Sequence, residues 1–120
     1  MKSSTELAND LTAFTGTDHW YRYPLNSDIT YTDGVAYFAE TVGAYWLFDI
    51  IATQPEILGT MKTGLAVIEL RVDTDNTAVL TCEDGNYNNK YTRIIDFTDC
   101  PAGVWKFFFT DNVILLPSEY

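Results

Sequence analysis

Four consecutive residues, His19-Trp20-Tyr21-Arg22, place an imidazole, a guanidinium and two aromatic rings within reach of a single ligand. Imidazole exchanges a proton near neutral pH, and a guanidinium stacks on aromatic faces, so the run could act as a general base or as a stacking platform. His19 is the only histidine in the chain, and although Asp18 and Asp33 lie near in sequence, neither spacing fixes a contact. The competing reading is that these amphipathic side chains pin a loop against the core. Asp49 is the other conspicuous titratable group, because it is the one charged residue in the apolar run from Tyr45 to Ile51. A carboxylate there must be hydrogen-bonded, paired or protonated, which points to Arg22, Arg93 or a tyrosine hydroxyl as partner. With Tyr31, these residues form a candidate ligand site: His19, Trp20, Tyr21, Arg22, Tyr31 and Asp49.

Other chemistries find less support. Asp73, Asp75 and Asn76 resemble the opening of a calcium loop, but the sixth and twelfth positions, where an EF-hand needs Gly and Glu, hold Ala78 and Asp84. Two cysteines and one histidine fall short of the four ligands of a structural zinc site. Cys82, within the alternating run VLTCE, reads as a small buried hydrophobe, and a Cys82–Cys100 disulfide remains an alternative. There is no GxSxG, no Cys-His motif and no Gly-rich phosphate loop, so no catalytic residue, metal or cofactor is expected.

Charge is more informative. Seventeen Asp and Glu against seven Lys and Arg give a formal charge of −10, in a chain that is 47% hydrophobic and so has the apolar content to fold. Such a surface repels nucleic acid and anionic membranes and attracts basic proteins. Eight acids lie in the second half, most of them at turns or strand ends: Glu69, Asp73, Asp75, Glu83, Asp84, Asp96, Asp99 and Asp111. These are the candidate partner-binding face. The bland alternative is that turns recruit aspartate for backbone reasons.

The elements that must position these groups can be read from periodicity. Leu7, Leu11 and Phe14 recur at helical spacing after Ser3, Ser4 and Thr5, which predicts a short amphipathic helix ended by Gly16. Residues Asp18 to Tyr31, with Pro24 and Asn26-Ser27-Asp28, read as a loop or short extended pieces. Thr32 or Asp33 caps a helix from Gly34 to Val42; Gly43 interrupts it, and a second, nearly all-apolar helix runs to Gln54-Pro55. From Gly64 the period falls to two: Ala66 to Val72, Thr77 to Glu83, Lys90 to Phe97, Val104 to Thr110 and Val113 to Leu116 are strands joined by turns at 73–76, 84–86 and 111–112. The expectation is a single α+β domain over 1–120, helical in 1–60 and stranded in 64–117. Its N-terminal helices should pack on one face of an antiparallel β-meander of four to five strands. The aromatic strand from Val104 to Phe109 also raises self-association, and hence a monomer or a homodimer. The N-terminal stretch lacks the apolar region of a secretory signal, and the apolar run 42–52 is too short to span a bilayer, so a soluble, cytoplasmic protein is expected.

The segments HWYR, YTDGV, GAYWL, LTCEDGN and the terminal NVILLPSEY resemble a family of small uncharacterised acidic bacterial proteins carried by phages and plasmids, for which no biochemical function is known. The resemblance spans nearly the whole chain and implies a mobile-element protein that acts on host machinery. Combined with the charge, it suggests a non-enzymatic interaction protein that presents carboxylates to a basic host surface in place of DNA phosphates, as an anti-CRISPR or anti-restriction inhibitor would. The alternative function is a small-ligand-binding protein or enzyme built on the His19–Arg22 loop.

Overall fold

The computed structural model describes residues 3–16 and 19–120, so Asp18 lies outside the described residues. The elements run α1 (Ser4–Thr12), β1 (Trp20–Tyr23), β2 (Asn26–Thr32), α2 (Asp33–Val42), α3 (Tyr45–Thr53), α4 (Pro55–Lys62), β3 (Ala66–Val72), β4 (Ala78–Glu83), β5 (Asn89–Ile95), β6 (Gly103–Thr110) and β7 (Val113–Leu115), with a final 3-10 turn at Pro117–Glu119. The expected α+β class is what is found: the helices sit N-terminally and the sheet is mostly antiparallel. It holds seven strands, in the order β1-β2-β7-β6-β3-β4-β5. The added strands are β1 and β2, an antiparallel hairpin built from the stretch read as loop or extended pieces, with Pro24 exposed between them. β2 then joins the sheet by a parallel pairing to β7, Tyr31 opposite Ile114.

Register explains the core. Ile68 faces Cys82 on one side and Phe107 on the other, and Leu70 faces Leu80 and Trp105, so these side chains share one face of the sheet. All are buried, and α2, α3 and α4 cover them. Phe38 from α2, Phe48 from α3 and Phe107 from β6 meet edge to face, with ring centroids 5.0 to 6.3 Å apart. The strand from Val104 to Phe109 thus splits by alternation, with Trp105, Phe107 and Phe109 turned to the core. Phe108 points the other way, under the ring of Tyr120 at 5.1 Å.

Helix ends follow local chemistry, with two departures from the sequence reading. α1 is capped by Ser3, whose hydroxyl accepts from the Glu6 amide, but it stops at Thr12 instead of Gly16. The second apolar helix, α3, ends at Thr53 before Gln54-Pro55 as expected, but Pro55 also opens a further helix. It occupies the first turn of α4, where a missing N–H costs nothing, and Ile57, Thr60 and Met61 are buried from that helix. α2 behaves as expected, with Thr32 as its N-cap and Gly43 closing it at φ 66°. Its first turn is also held from the far end of the chain: Glu119 accepts from Thr32 Oγ1 (2.6 Å), the Gly34 amide (3.2 Å) and the Leu116 amide (2.9 Å). Glycine at position 34 allows this close approach, because a Cβ there would stand 2.5 Å from Leu116 Cδ1 and 2.8 Å from Glu119 Oε1 and those side-chain ends would have to move.

Both cysteines are free thiols and buried, which selects the buried-hydrophobe reading over the disulfide. Among the described residues no helix is long and apolar enough to cross a membrane.

Candidate functional site: an acidic sheet end and a tyrosine cleft

The eight acids of the second half do not form one continuous face. The β3–β4 turn carries Asp73 and Asp75, and the β5–β6 connection carries Asp96 and Asp99. A hydrogen bond from the Thr98 amide to the Asn76 carbonyl (2.9 Å) ties these two segments together at one end of the sheet. Glu83, Asp84 and Asp111 lie at the other end, roughly 20 Å away across the seven residues of β3. Glu69 stands between, on the helix-free face, with Arg71 Nη2 at 2.9 Å and Lys106 opposite in register.

Three of these acids have evident backbone roles. Asp75 accepts from the Thr77 hydroxyl and amide, and these bonds hold its carboxyl below the ordinary range. Asp84 accepts from the Asn88 side chain and from the Asn86 and Asn88 amides, and its carboxyl is lowered in the same way. Asp111 and Asn112 both have positive φ, 50° and 64°, as a two-residue hairpin of the primed type requires. Asp73, Asp96 and Asp99 are exposed, and neither segment 73–77 nor segment 96–102 contains a Lys or Arg. The densest solvent-facing negative charge of the candidate set is therefore at the Asp73/Asp99 end.

The His19–Arg22 run is divided by strand alternation. Arg22 pairs with Thr30, which pairs with Val113, so Arg22 and Trp20 project from the helix-free face and leave the ligand site expected for them. Tyr21 and Tyr31 project to the helix side and stack at 5.4 Å. There they form one wall of a cleft of about 780 Å³, whose other wall comes from α2 and the end of α1. On α2, Asp33, Ala36, Tyr37 and Glu40 recur at helical spacing and line that wall; the ring of Phe14 meets that of Tyr37 at 5.5 Å, and Tyr45 from α3 also lines the cleft. None of these lining positions is Lys, Arg or His.

Contacts fix the walls. The Tyr21 hydroxyl donates to Asp33 Oδ1 at 2.9 Å, and His19 Nδ1 lies 3.6 Å from Asp33 Oδ2. Tyr37 donates to Asp10 at 2.8 Å, which anchors α1 to α2. Behind the cleft, Tyr23 packs edge-on against Tyr31 at 5.6 Å and donates to Asp49. Of the three partners expected for Asp49, the tyrosine hydroxyl is the one found, and Asp49 does not line the cleft.

These contacts set the protonation of the cleft. The bond to Asp33 and then burial raise the Tyr21 phenol above its ordinary value. Burial and then the negative charge of Glu40 raise Tyr45. Burial, followed by the bond to Asp49, raises Tyr23 strongly. Tyr21 and Tyr45, both raised, therefore offer π-faces and hydroxyls, and the carboxylate side chains of the lining are Asp33 and Glu40. Such a lining suits recognition of a positive group better than bond-making chemistry. Among the described residues no group of three or more His, Cys, Asp and Glu side chains is disposed to hold a metal ion.

Of the residues that line this cleft, the sequence reading grouped Tyr21 and Tyr31 and did not include Asp33, Tyr37, Glu40 or Tyr45. Their signal was a second helical face on α2, beside the apolar one, that repeats at three and four residues.

A family model matches residues 5–120, and the chain belongs to that family, described as a family of unknown function (DUF6876). No curated protein and no solved structure matches it.

Proposed function

We propose that this family member is a non-enzymatic acidic interaction protein that binds a basic surface of a host protein. In this reading it is carried by a phage or plasmid, works in the cytoplasm, and inhibits a nucleic-acid-directed defence system of the CRISPR or restriction type by occupying a groove built for a polyanion. One observation supports it above the others: the Asn76–Thr98 bond gathers Asp73, Asp75, Asp96 and Asp99 at one end of the sheet, on two segments devoid of Lys and Arg. Rigidly held carboxylates attract a basic groove over a Debye length of roughly 8 Å at physiological salt and release its bound counterions on contact.

The test is plasmid transformation of cells that carry a restriction or CRISPR system directed against the plasmid. Expression of the chain should raise transformation, and a variant with all four residues changed to Asn should not, since Asn keeps the turn acceptor of Asp75 while removing the charge. Transformation unchanged by the wild-type chain, or raised equally by the four-fold variant, overturns the reading.

A further inference from the structure

We propose that the cleft between the β1–β2 hairpin and α2 binds an organic cation, an alkylammonium or guanidinium group held on tyrosine faces and countered by Asp33 and Glu40. This site is distinct from the acidic sheet end and does not rest on the reading given for it.

The cleft volume, about 780 Å³, lies within the roughly 300–1,000 Å³ typical of ligand sites. Its lining combines two features that arise from different causes. The first is aromatic: Tyr21 and Tyr31 stack on one wall at 5.4 Å, and Tyr37 on the facing helix stacks on Phe14 at 5.5 Å. Aromatic rings that line a cleft from both sides are the kind of surface on which quaternary ammonium groups are recognised. The second is electrostatic. Asp33 and Glu40 are seven residues apart on α2, two helical turns, so both carboxylates project from the face that carries Tyr37. Among the described residues no basic side chain lines the cleft. His19, which is mostly exposed and is not among the lining residues, has its Nδ1 3.6 Å from Asp33 Oδ2.

The alternatives are disfavoured by the same lining. An anion would face two carboxylates without a compensating donor cation. A purely apolar ligand would cover the two carboxylates without offering either of them a counter-charge. A bare metal ion would find only these two carboxylates among the lining residues, with the aromatic walls contributing nothing to its coordination.

Positive groups of this kind occur free, as choline or agmatine, or as Lys and Arg side chains of a peptide. The experiment titrates the full chain by NMR and calorimetry with choline, with agmatine, with an acetylated and amidated Gly-Arg-Gly peptide, and with 3,3-dimethylbutanol, the uncharged counterpart of choline. At least one cationic probe should shift the ring resonances of Tyr21, Tyr31, Tyr37 and Tyr45, and the alcohol should not. Glu40→Gln, at an exposed position, should weaken that probe about three- to fivefold with an unchanged melting temperature. Tyr21→Leu should weaken it further, whereas His19→Gln, which removes a competing positive group, should leave it no weaker. Tighter binding of choline or agmatine assigns the site to a free cation, and tighter binding of the peptide assigns it to a partner's side chain. The proposal is overturned if no cationic probe perturbs the tyrosines, if the alcohol binds as well as choline, or if Glu40→Gln has no effect.

Discussion

At the scale of single residues, buried groups with shifted equilibria make the most direct forecasts. Burial raises the Cys82 thiol to about 11 and the Cys100 thiol to about 12, from an ordinary value of 9.0. Both groups are neutral in the fold and ionise more readily in the unfolded chain, so their contribution to stability is whole below pH 9 and is lost as pH climbs toward 11 to 12. Tyr23, raised in the same direction, adds to the loss. Denaturant unfolding followed at pH 7, 9 and 10.5 should show stability falling only across the upper interval, and a flat profile would refute the assignment. A thiol reagent at pH 8 should label neither cysteine until the protein is unfolded. In the aromatic cluster, Phe107→Ala removes the ring that meets both Phe38 and Phe48 and should cost about 3–5 kcal/mol in equilibrium unfolding.

At the scale of elements, turn chemistry and charge make opposite forecasts for Asp111. Its φ of 50° belongs to the left-handed region that glycine enters without steric penalty. Asp111→Gly should therefore be neutral or stabilising, while Asn112→Val, at φ 64°, should cost about 1–2 kcal/mol by the same denaturation assay. A large loss on Asp111→Gly would mean that its carboxylate matters to the fold. The same scale shows what was legible in the sequence. The run from Ala66 to Leu116 was readable because alternation and positive-φ turn residues mark each strand locally, and α2 was readable from Thr32 and Gly43. Two elements were obscured by proline. Pro55 stops α3 as the sequence indicates, but it equally fits the first turn of the next helix, α4, and Pro24 marks the turn between β1, which is mostly exposed, and β2, whose burial follows no strict alternation. The tyrosine cleft was half legible, because Asp33, Tyr37 and Glu40 repeat at helical spacing, yet nothing local says that a hairpin will stand opposite them. That placement rests on the parallel pairing of β2 with β7, a contact between residues more than eighty positions apart.

At the scale of the whole molecule, a charge of −10 is spread over both sheet ends and the cleft, so the fold works against its own repulsion. Screening should relieve it: the melting temperature is expected to rise by a few degrees between 20 mM and 300 mM sodium chloride, as ionic strength shortens the Debye length. A melting temperature indifferent to salt would mean that the carboxylates are locally compensated. The four-fold Asn variant at residues 73, 75, 96 and 99 should show a smaller rise, because it removes the densest group. This stability readout is separate from the transformation assay.

The clasp of Glu119 on α2 also orders events in time. The Gly34 amide and the carboxylate it donates to are 85 positions apart, and at synthesis rates of roughly 5–20 residues per second they are made about 4–17 s apart. Through that interval the helix that walls the cleft has been translated but its first turn lacks its outer acceptor, so a nascent chain can hold every cleft residue and still lack the finished cleft. The bonds of Glu119 to Thr32 and Gly34 are thus among the last of the cleft's supports to become available during synthesis.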